Sequence, residues 1–253
     1  MLGLPFRHLP LALCTFLPSL ACDPVQPDRP GGAASDLTVP QVQNPADPEY
    51  PGTGSRVVLD DVIVTAVDNY DEDGSGRVGN VWVAEPAGGA WSGVQLFDPS
   101  VIPSRASLVP GDIVQAIGTL DEFVLLNPDG SPQDPAGTLT ELSGASVQKI
   151  GETYAPLATT IPEADLVPLG RDSPNPAAEQ WEDCLVRLEN VEMAGGYDRY
   201  GEAPTSLGVA VASDLYLIPD LAAGTRLRSL TGIVTYFFGF SLMPRGPQDV
   251  ELE

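Results

Sequence analysis

Residues that interrupt regular structure run the whole length of this chain: 26 glycines and 26 prolines among 253 residues, about a fifth of the total. At that density a long helix finds no unbroken stretch to form in, and short strands joined by turns are favoured. A helical bundle is excluded on this ground. Hydrophobic residues at 43% still supply enough apolar surface for a core, so general disorder is excluded as well. The length allows one large or two small domains.

An internal repeat chooses two. Val58-Leu59-Asp60-Asp61-Val62 corresponds to Arg187-Leu188-Glu189-Asn190-Val191, each reading as a strand with alternating faces. Leu108-Val109-Pro110-Gly111-Asp112-Ile113-Val114 through Gly118 corresponds to Leu221-Ala222-Ala223-Gly224-Thr225-Arg226-Leu227 through Gly232. In both copies a glycine turn launches a strand that a second glycine interrupts, which marks the bulge or bend a small curved barrel needs at its corners. Each copy closes on a short apolar strand, Ser146–Ile150 or Asp249–Leu252. The spacing predicts strands over 56–68, 80–85, 91–97, 112–126 and 138–150, then over 184–194, 206–212, 214–218, 225–238 and 240–252. The expected fold is all-β: two tandem five-stranded OB-like Greek-key barrels, at 56–150 and 181–253, joined by a proline-rich connector at 151–180.

The N-terminus carries Arg7 and His8 before a short apolar stretch from Leu9 to Leu20, too short to span a bilayer. It closes with Ser19-Leu20-Ala21-Cys22. This resembles a bacterial lipoprotein signal peptide, occupying 1–21, in which the cysteine is acylated and becomes the new N-terminus. Here Ser19 stands where that family usually has Leu. The resemblance implies export, lipidation at Cys22 and attachment to the membrane through that lipid, at the bacterial outer membrane or cell surface. The competing reading is an ordinary cleaved signal that leaves Cys22 free. Residues 23–55 hold seven prolines and four glycines with few large apolar groups, a composition that predicts a disordered tether over 22–55. Cys184, in Cys184-Leu185-Val186, reads as a small core residue, or as the partner of Cys22 in a disulfide.

Charge and the histidine count narrow the function. Twelve basic against 35 acidic side chains give a net charge of −23. Such a surface repels phosphate polyanions and draws cations by the same long-range field, which disfavours nucleic acid as a partner. The single histidine, His8, falls in the segment removed on export. A mature chain without imidazole cannot build a Ser-His-Asp triad, a histidine zinc site or a histidine general base.

The second repeat, from Glu179-Gln180-Trp181-Glu182-Asp183-Cys184 to Leu242-Met243-Pro244-Arg245 and Asp249-Val250, resembles the OB-fold domains that precede the catalytic part of secreted bacterial nucleases. The first resembles the same module through its opening strand, Trp91-Ser92-Gly93-Val94 and Leu108-Val109-Pro110-Gly111-Asp112. Those nucleases continue into an endonuclease/exonuclease/phosphatase domain, whereas this sequence ends at Glu253, and no catalytic residue is carried over. The resemblance implies an accessory or binding role, with nucleic acid as one ligand class.

Three groups of residues are candidates for a site. In the acidic stretch Asp68 to Gly76, the residues Asn69, Asp71, Asp73 and Ser75 present oxygen donors at alternate positions around Gly74, like the first half of an EF-hand loop, and calcium is the cation they suit. Asn80 stands where that loop needs its bidentate Glu, and the competing reading is a soluble acidic hairpin loop. No other cofactor is implied. Ligands of OB folds lie on the face of strands two and three, between the first and fourth loops. That points to Trp82, Trp91 and Phe97 in the first unit and to Tyr197 and Tyr200 in the second, unless Trp82 and Phe97 fill the barrel core. In Tyr236-Phe237-Phe238-Gly239-Phe240 the rings cannot all face inward, because neighbours on a strand point to opposite sides. Finally, Arg226 and Arg228, with Arg187, could form a local basic cluster, or could pair singly with the abundant carboxylates. The expectation is a non-enzymatic, lipid-anchored binding protein for a protein or glycan ligand. The alternative is a nucleic-acid-binding accessory module working with a separate extracellular nuclease.

Overall fold

The computed structural model describes residues 35–69, 79–103, 107–170 and 173–253. Cys22 and the signal segment lie outside the described residues, as do Asp71, Asp73 and Ser75. A two-residue strand β1 (Ser35–Asp36) and a short helix α1 (Val39–Gln43) come first. The first barrel follows, with β2 (Arg56–Val67), β3 (Val81–Ala84), β4 (Gly93–Leu96), a short β5 (Ser100–Ile102), β6 (Asp112–Phe123) and β7 (Leu139–Glu152). The second unit holds β8 (Thr159–Thr160), β9 (Leu185–Glu192), β10 (Glu202–Pro204), β11 (Ala210–Ala212), β12 (Arg226–Tyr236), β13 (Phe240–Met243) and β14 (Val250–Leu252). Among the described residues no helix is long and apolar enough to cross a membrane.

In the first sheet β2 pairs with β3, β3 with β4, β4 in parallel with β7, β7 with β6, and β6 returns to β2, so the ring is closed. This is the five-stranded Greek-key barrel expected from the sequence. The second sheet repeats the order: β10 pairs with β11, β11 in parallel with β13, β13 with β12, and β12 with β9. Its first and second strands meet through a single bridge between Met193 and Thr205. β14 continues the fifth strand along the other end of β12.

The repeated sequence blocks occupy equivalent places and carry the same backbone device. Asp61 and Asn190, aligned in the repeat, both adopt positive φ, 58° and 56°. In β2 the inward residues are Val57, Leu59, Val62 and Val64, with both Asp60 and Asp61 exposed between them. In β9 and the residue after it the inward set is Val186, Leu188, Val191 and Met193, with Glu189 and Asn190 exposed. The extra residue in β2 shifts its register against β6 between Leu59 and Val62, a β-bulge that sharpens the local twist. Gly111 and Gly224 launch the fourth strands at φ 100° and 82°, values open to glycine at no steric penalty. Each turn is closed by a side chain one residue later: Val109 N–H donates to Asp112 Oδ2 (3.0 Å) and Ala222 N–H to Thr225 Oγ1 (3.3 Å).

Two segments differ from expectation. Residues 35–55, read as part of a tether on composition, fold onto the first barrel. β1 pairs in parallel with β2, and Val39 and Val42 of α1 are fully buried in that barrel's core. Thr38 N–H donates to Gln41 Oε1 (2.8 Å) and Val39 N–H to Glu85 Oε1 (2.8 Å), which caps the helix start. Two valines on one helical turn outweigh the polar composition around them. In the second barrel, the run 206–212 expected as one strand is instead a turn followed by β11: Thr205 N–H donates to the Val209 carbonyl (2.9 Å) across Gly208, at φ 98°. The partner strand β10 lies upstream, and 214–218 forms no strand, although Ile218 enters the core. The connector is likewise built into the second core through Ile161, Leu166 and Ala178.

The buried turn α1 generates a prediction. Replacing Val39 and Val42 together by alanine should lower stability by about 2–4 kcal/mol, from lost burial and the cavity left behind. Chemical denaturation would measure it, and a free tether would show no change.

Candidate binding cleft

The two barrels are joined around a pair of acids at the end of the connector. A short turn, Glu179–Trp181, delivers Glu182 and Asp183 into the contact. Asp183 sits at φ 59° and is fully buried. Its own N–H donates to the Val234 carbonyl of the second barrel (2.7 Å). Its carboxylate accepts three N–H groups, from Trp82 Nε1 (3.0 Å), the Gln95 backbone (2.9 Å) and Gln43 Nε2 (3.3 Å). Gln43, which sequence composition assigned to the tether, also donates to the Gly93 carbonyl (2.6 Å). Burial pushes the Asp183 carboxyl above its ordinary range, and the N–H donors pull it back. Beside it, Glu182 Oε1 accepts the Thr140 N–H (2.9 Å), while Oε2 is buried without a hydrogen-bond partner. Burial and the neighbouring Asp183 push Glu182 well up.

An apolar cluster completes the joint. Ala66 and Trp82 of the first barrel meet Leu185, Ala212, Ile233 and Met243 of the second. Trp82 therefore does not fill the barrel core: Val81 and Val83 point inward, and strand alternation turns Trp82 out toward the second barrel. The main chains come close as well. A Cβ at Gly93 would collide with the Asp183 carbonyl. The Trp91 N–H donates to the Gln180 carbonyl (2.7 Å). Arg245 grips Asp249 through Nε and Nη2 (both 2.8 Å) and reaches across to the Thr65 carbonyl with Nη1 (2.9 Å). Cys184 lies buried in the same contact, its thiol pushed up to about 11 by desolvation.

Beside this joint, between the barrels, opens a cleft of about 840 Å³, within the ~300–1,000 Å³ range typical of ligand sites. From the first barrel it is lined by Trp82 of β3, Gln95 of β4 and Glu141 of β7, with Asp68 and Asn80 at the two ends of the first loop. Phe123 and Leu139 line it at the base of the fourth loop. That loop is clamped to the second barrel: Tyr236 Oη donates to Asp134 Oδ2 (2.6 Å), and the Tyr236 ring lies against Gly137. The second barrel contributes Tyr200 and Glu202 from the end of its first loop, and Phe237 and Phe238 from the turn between β12 and β13. Residues at the ends of the first and fourth loops of both barrels thus line one cleft. Within the five-residue aromatic run, Tyr236 and Phe240 are buried edge to face at 4.9 Å, whereas Phe237 and Phe238 are 54% and 53% exposed.

The lining carries carboxylates and amides and, among the described residues, no lysine or arginine. Glu141 is only 5% exposed. Its Oε2 accepts Gln95 Nε2 (3.2 Å), and burial pushes it up to about 7 against that bond, with Asp121 adding repulsion. Glu202 is raised by burial and by the charges of Asp198 and Asp214.

Of the residues singled out in the sequence, the cleft brings together Trp82, at its floor, and Tyr200, at its rim, along with Phe97. Trp91 lies at the joint instead. Tyr197 packs on the second core and accepts the Ile218 N–H (3.3 Å). The arginines do not form a basic groove: Arg226 pairs with Glu192 (3.2 Å), Arg187 with Glu251 (3.3 Å), and Arg228 is exposed. Asn69 is exposed at the base of the acidic loop, whose other proposed calcium ligands lie outside the described residues. Among the described residues no group of three or more His, Cys, Asp or Glu is arranged to hold a metal ion. Sequence reasoning missed Gln95, Glu141, Glu202 and Asp214. A signal existed for the first two, since a polar residue in the middle of an apolar strand, as in Val94-Gln95-Leu96, must point away from the barrel core. Comparison with protein-family models, curated proteins and solved structures finds no match to this chain.

Two outcomes follow from the joint. Gly93→Ala should destabilise the protein by about 1–3 kcal/mol or more through overpacking against the Asp183 carbonyl, read as a lowered melting temperature. Glu141, Glu179, Glu182 and Asp183 all hold their protons more tightly folded than unfolded. Stability is therefore fullest below the ordinary carboxylate range and declines as pH rises through about 7, the value for Glu141. Melting should occur at higher temperature at about pH 5 than at about pH 8, and Glu141→Gln should remove part of that difference.

Proposed function

We propose that this protein is a non-catalytic binding protein of the bacterial envelope, exported and held by lipid on Cys22, which takes a protein or glycan ligand into the cleft between its barrels. The observation that supports this reading is that residues at the ends of both first loops and both fourth loops line a single cleft. Strand faces that would separately bind ligands in two OB-like barrels are turned toward each other. Exposed rings at the rim offer stacking surfaces, and the buried amide and carboxylates offer hydrogen-bond partners that fix orientation. The signal-like N-terminal sequence supports export and anchoring. Nucleic acid is the poorer fit, because phosphate tracking needs a continuous positive groove and the described lining has no cationic side chain.

Titration of the protein against panels of peptides, neutral oligosaccharides and single-stranded DNA tests the reading, with tryptophan emission as the readout, to which Trp82 contributes from the cleft floor. A peptide or oligosaccharide should bind, and Phe237→Ala with Phe238→Ala should weaken it about tenfold or more while melting stays unchanged. Binding of DNA alone at low ionic strength would overturn the reading in favour of the nucleic-acid module. Mass spectrometry of the mature N-terminus checks acylation of Cys22.

A further inference from the structure

Resting on the cleft as the binding site, we infer that its ligand is a basic segment of a partner polypeptide. A lysine or arginine side chain sits among the carboxylates of Glu141, Glu202 and Asp214, and an apolar neighbour rests against Phe237 and Phe238. The argument begins with charge. Both barrels contribute acids to the lining, Asp68 and Glu141 from the first, Glu202 and Asp214 from the second. Among the described residues Lys149 pairs with Asp112 and Glu152, Arg187 with Glu189 and Glu251, Arg226 with Glu192 and Arg245 with Asp249. Glu141, Glu202 and Asp214 take part in none of them. Burial opposes ionisation of Glu141 and Glu202, with repulsion from Asp121 added at the first and from Asp198 and Asp214 at the second. A cation entering the cleft relieves both effects and strengthens as water is displaced. At longer range the net charge of −23 draws a basic partner in.

Chemistry narrows the cation. A bare metal ion needs several oxygens converging on one point, and the described residues offer no group of three that does so. A long basic side chain reaches separated carboxylates and brings an apolar stem that can lie along Leu215 and Met243. Phe97, Phe237 and Phe238 leave more apolar surface at the cleft than one cation covers. A polypeptide with an aliphatic or aromatic residue beside its basic one covers both kinds of surface, which a neutral glycan does not do for the charge.

Calorimetry on the protein with four probes tests this: a capped peptide alternating arginine and leucine, the same peptide with glutamate for arginine, an oligomer of glucosamine, and its neutral N-acetylated form. The arginine peptide should bind, more weakly at higher salt, and the glutamate peptide should not. Glu141→Gln should reduce its affinity about tenfold, as should Glu202→Gln with Asp214→Asn. Asp214→Lys, at an exposed position, is a second variant that leaves the buried joint untouched and should abolish binding. Failure of the arginine peptide to bind overturns the inference, as does binding that none of these substitutions alters. The sugar arms then show what survives. If either oligosaccharide binds and loses affinity in Phe237→Ala with Phe238→Ala, the cleft remains a binding site and only the basic polypeptide is wrong. If no probe binds, the cleft reading fails with the inference.

Discussion

A carboxyl group buried without a cation is costly to hold, and Asp183 is made tolerable by the N–H groups that converge on it and by burial that favours its protonated form. Those donors come from α1, from β3 and from β4, at positions 43, 82 and 95 of the chain, while the Asp183 backbone belongs to the entry of the second barrel. One side chain therefore ties together segments distant in sequence. Removing it would strand the Trp82 indole N–H and the Gln95 amide N–H inside an apolar contact, so the joint favours one relative placement of the barrels. The positive φ at the same residue turns the chain into that placement. The cleft beside it inherits a set width.

Fixing that width changes what two small barrels can do. A lone OB-like face is shallow, and its loops are free to move when a ligand arrives. Here the first barrel's fourth loop is held by Tyr236 and Asp134, and β3 and β4 are backed by the second barrel through Trp82 and Gln95. Less ordering remains to be done on binding, which favours affinity without added contact area. The same enclosure leaves Glu141 in low dielectric, where its charge is felt more strongly than on an open surface.

The fold was largely legible in the sequence because its markers are local. Glycine turns at Gly111 and Gly224, the aligned pair Asp61 and Asn190, and the recurring inward valines and leucines depend on neighbours a few residues away. Strand β10 escaped because it is only three residues long, and β11 was read too long, as part of 206–212, because the apolar run from Val209 to Ala212 extends the pattern upstream. The docking of α1 escaped because two valines decide it against a polar background. The cleft was only half legible: the general location between first and fourth loops followed from the barrel type, but Glu202 and Asp214 reach its lining only because the second barrel faces the first. Trp91 stood out for its ring, whereas its backbone N–H is what reaches Gln180 across the joint, a use that no side-chain pattern announces.

The bulge at Asp61 separates two things that sheet-building usually combines. On either side of it, β2 and β6 keep regular pairing and the same inward faces, with one surplus residue between Leu59 and Val62. Excising that residue would leave every partner assigned and every valine still facing the interior. It would remove only the bend, giving a strand that suits a flat ribbon and no longer follows the circumference of so narrow a cylinder. Curvature here is thus written as an insertion in the chain, independent of which side chains line the inside.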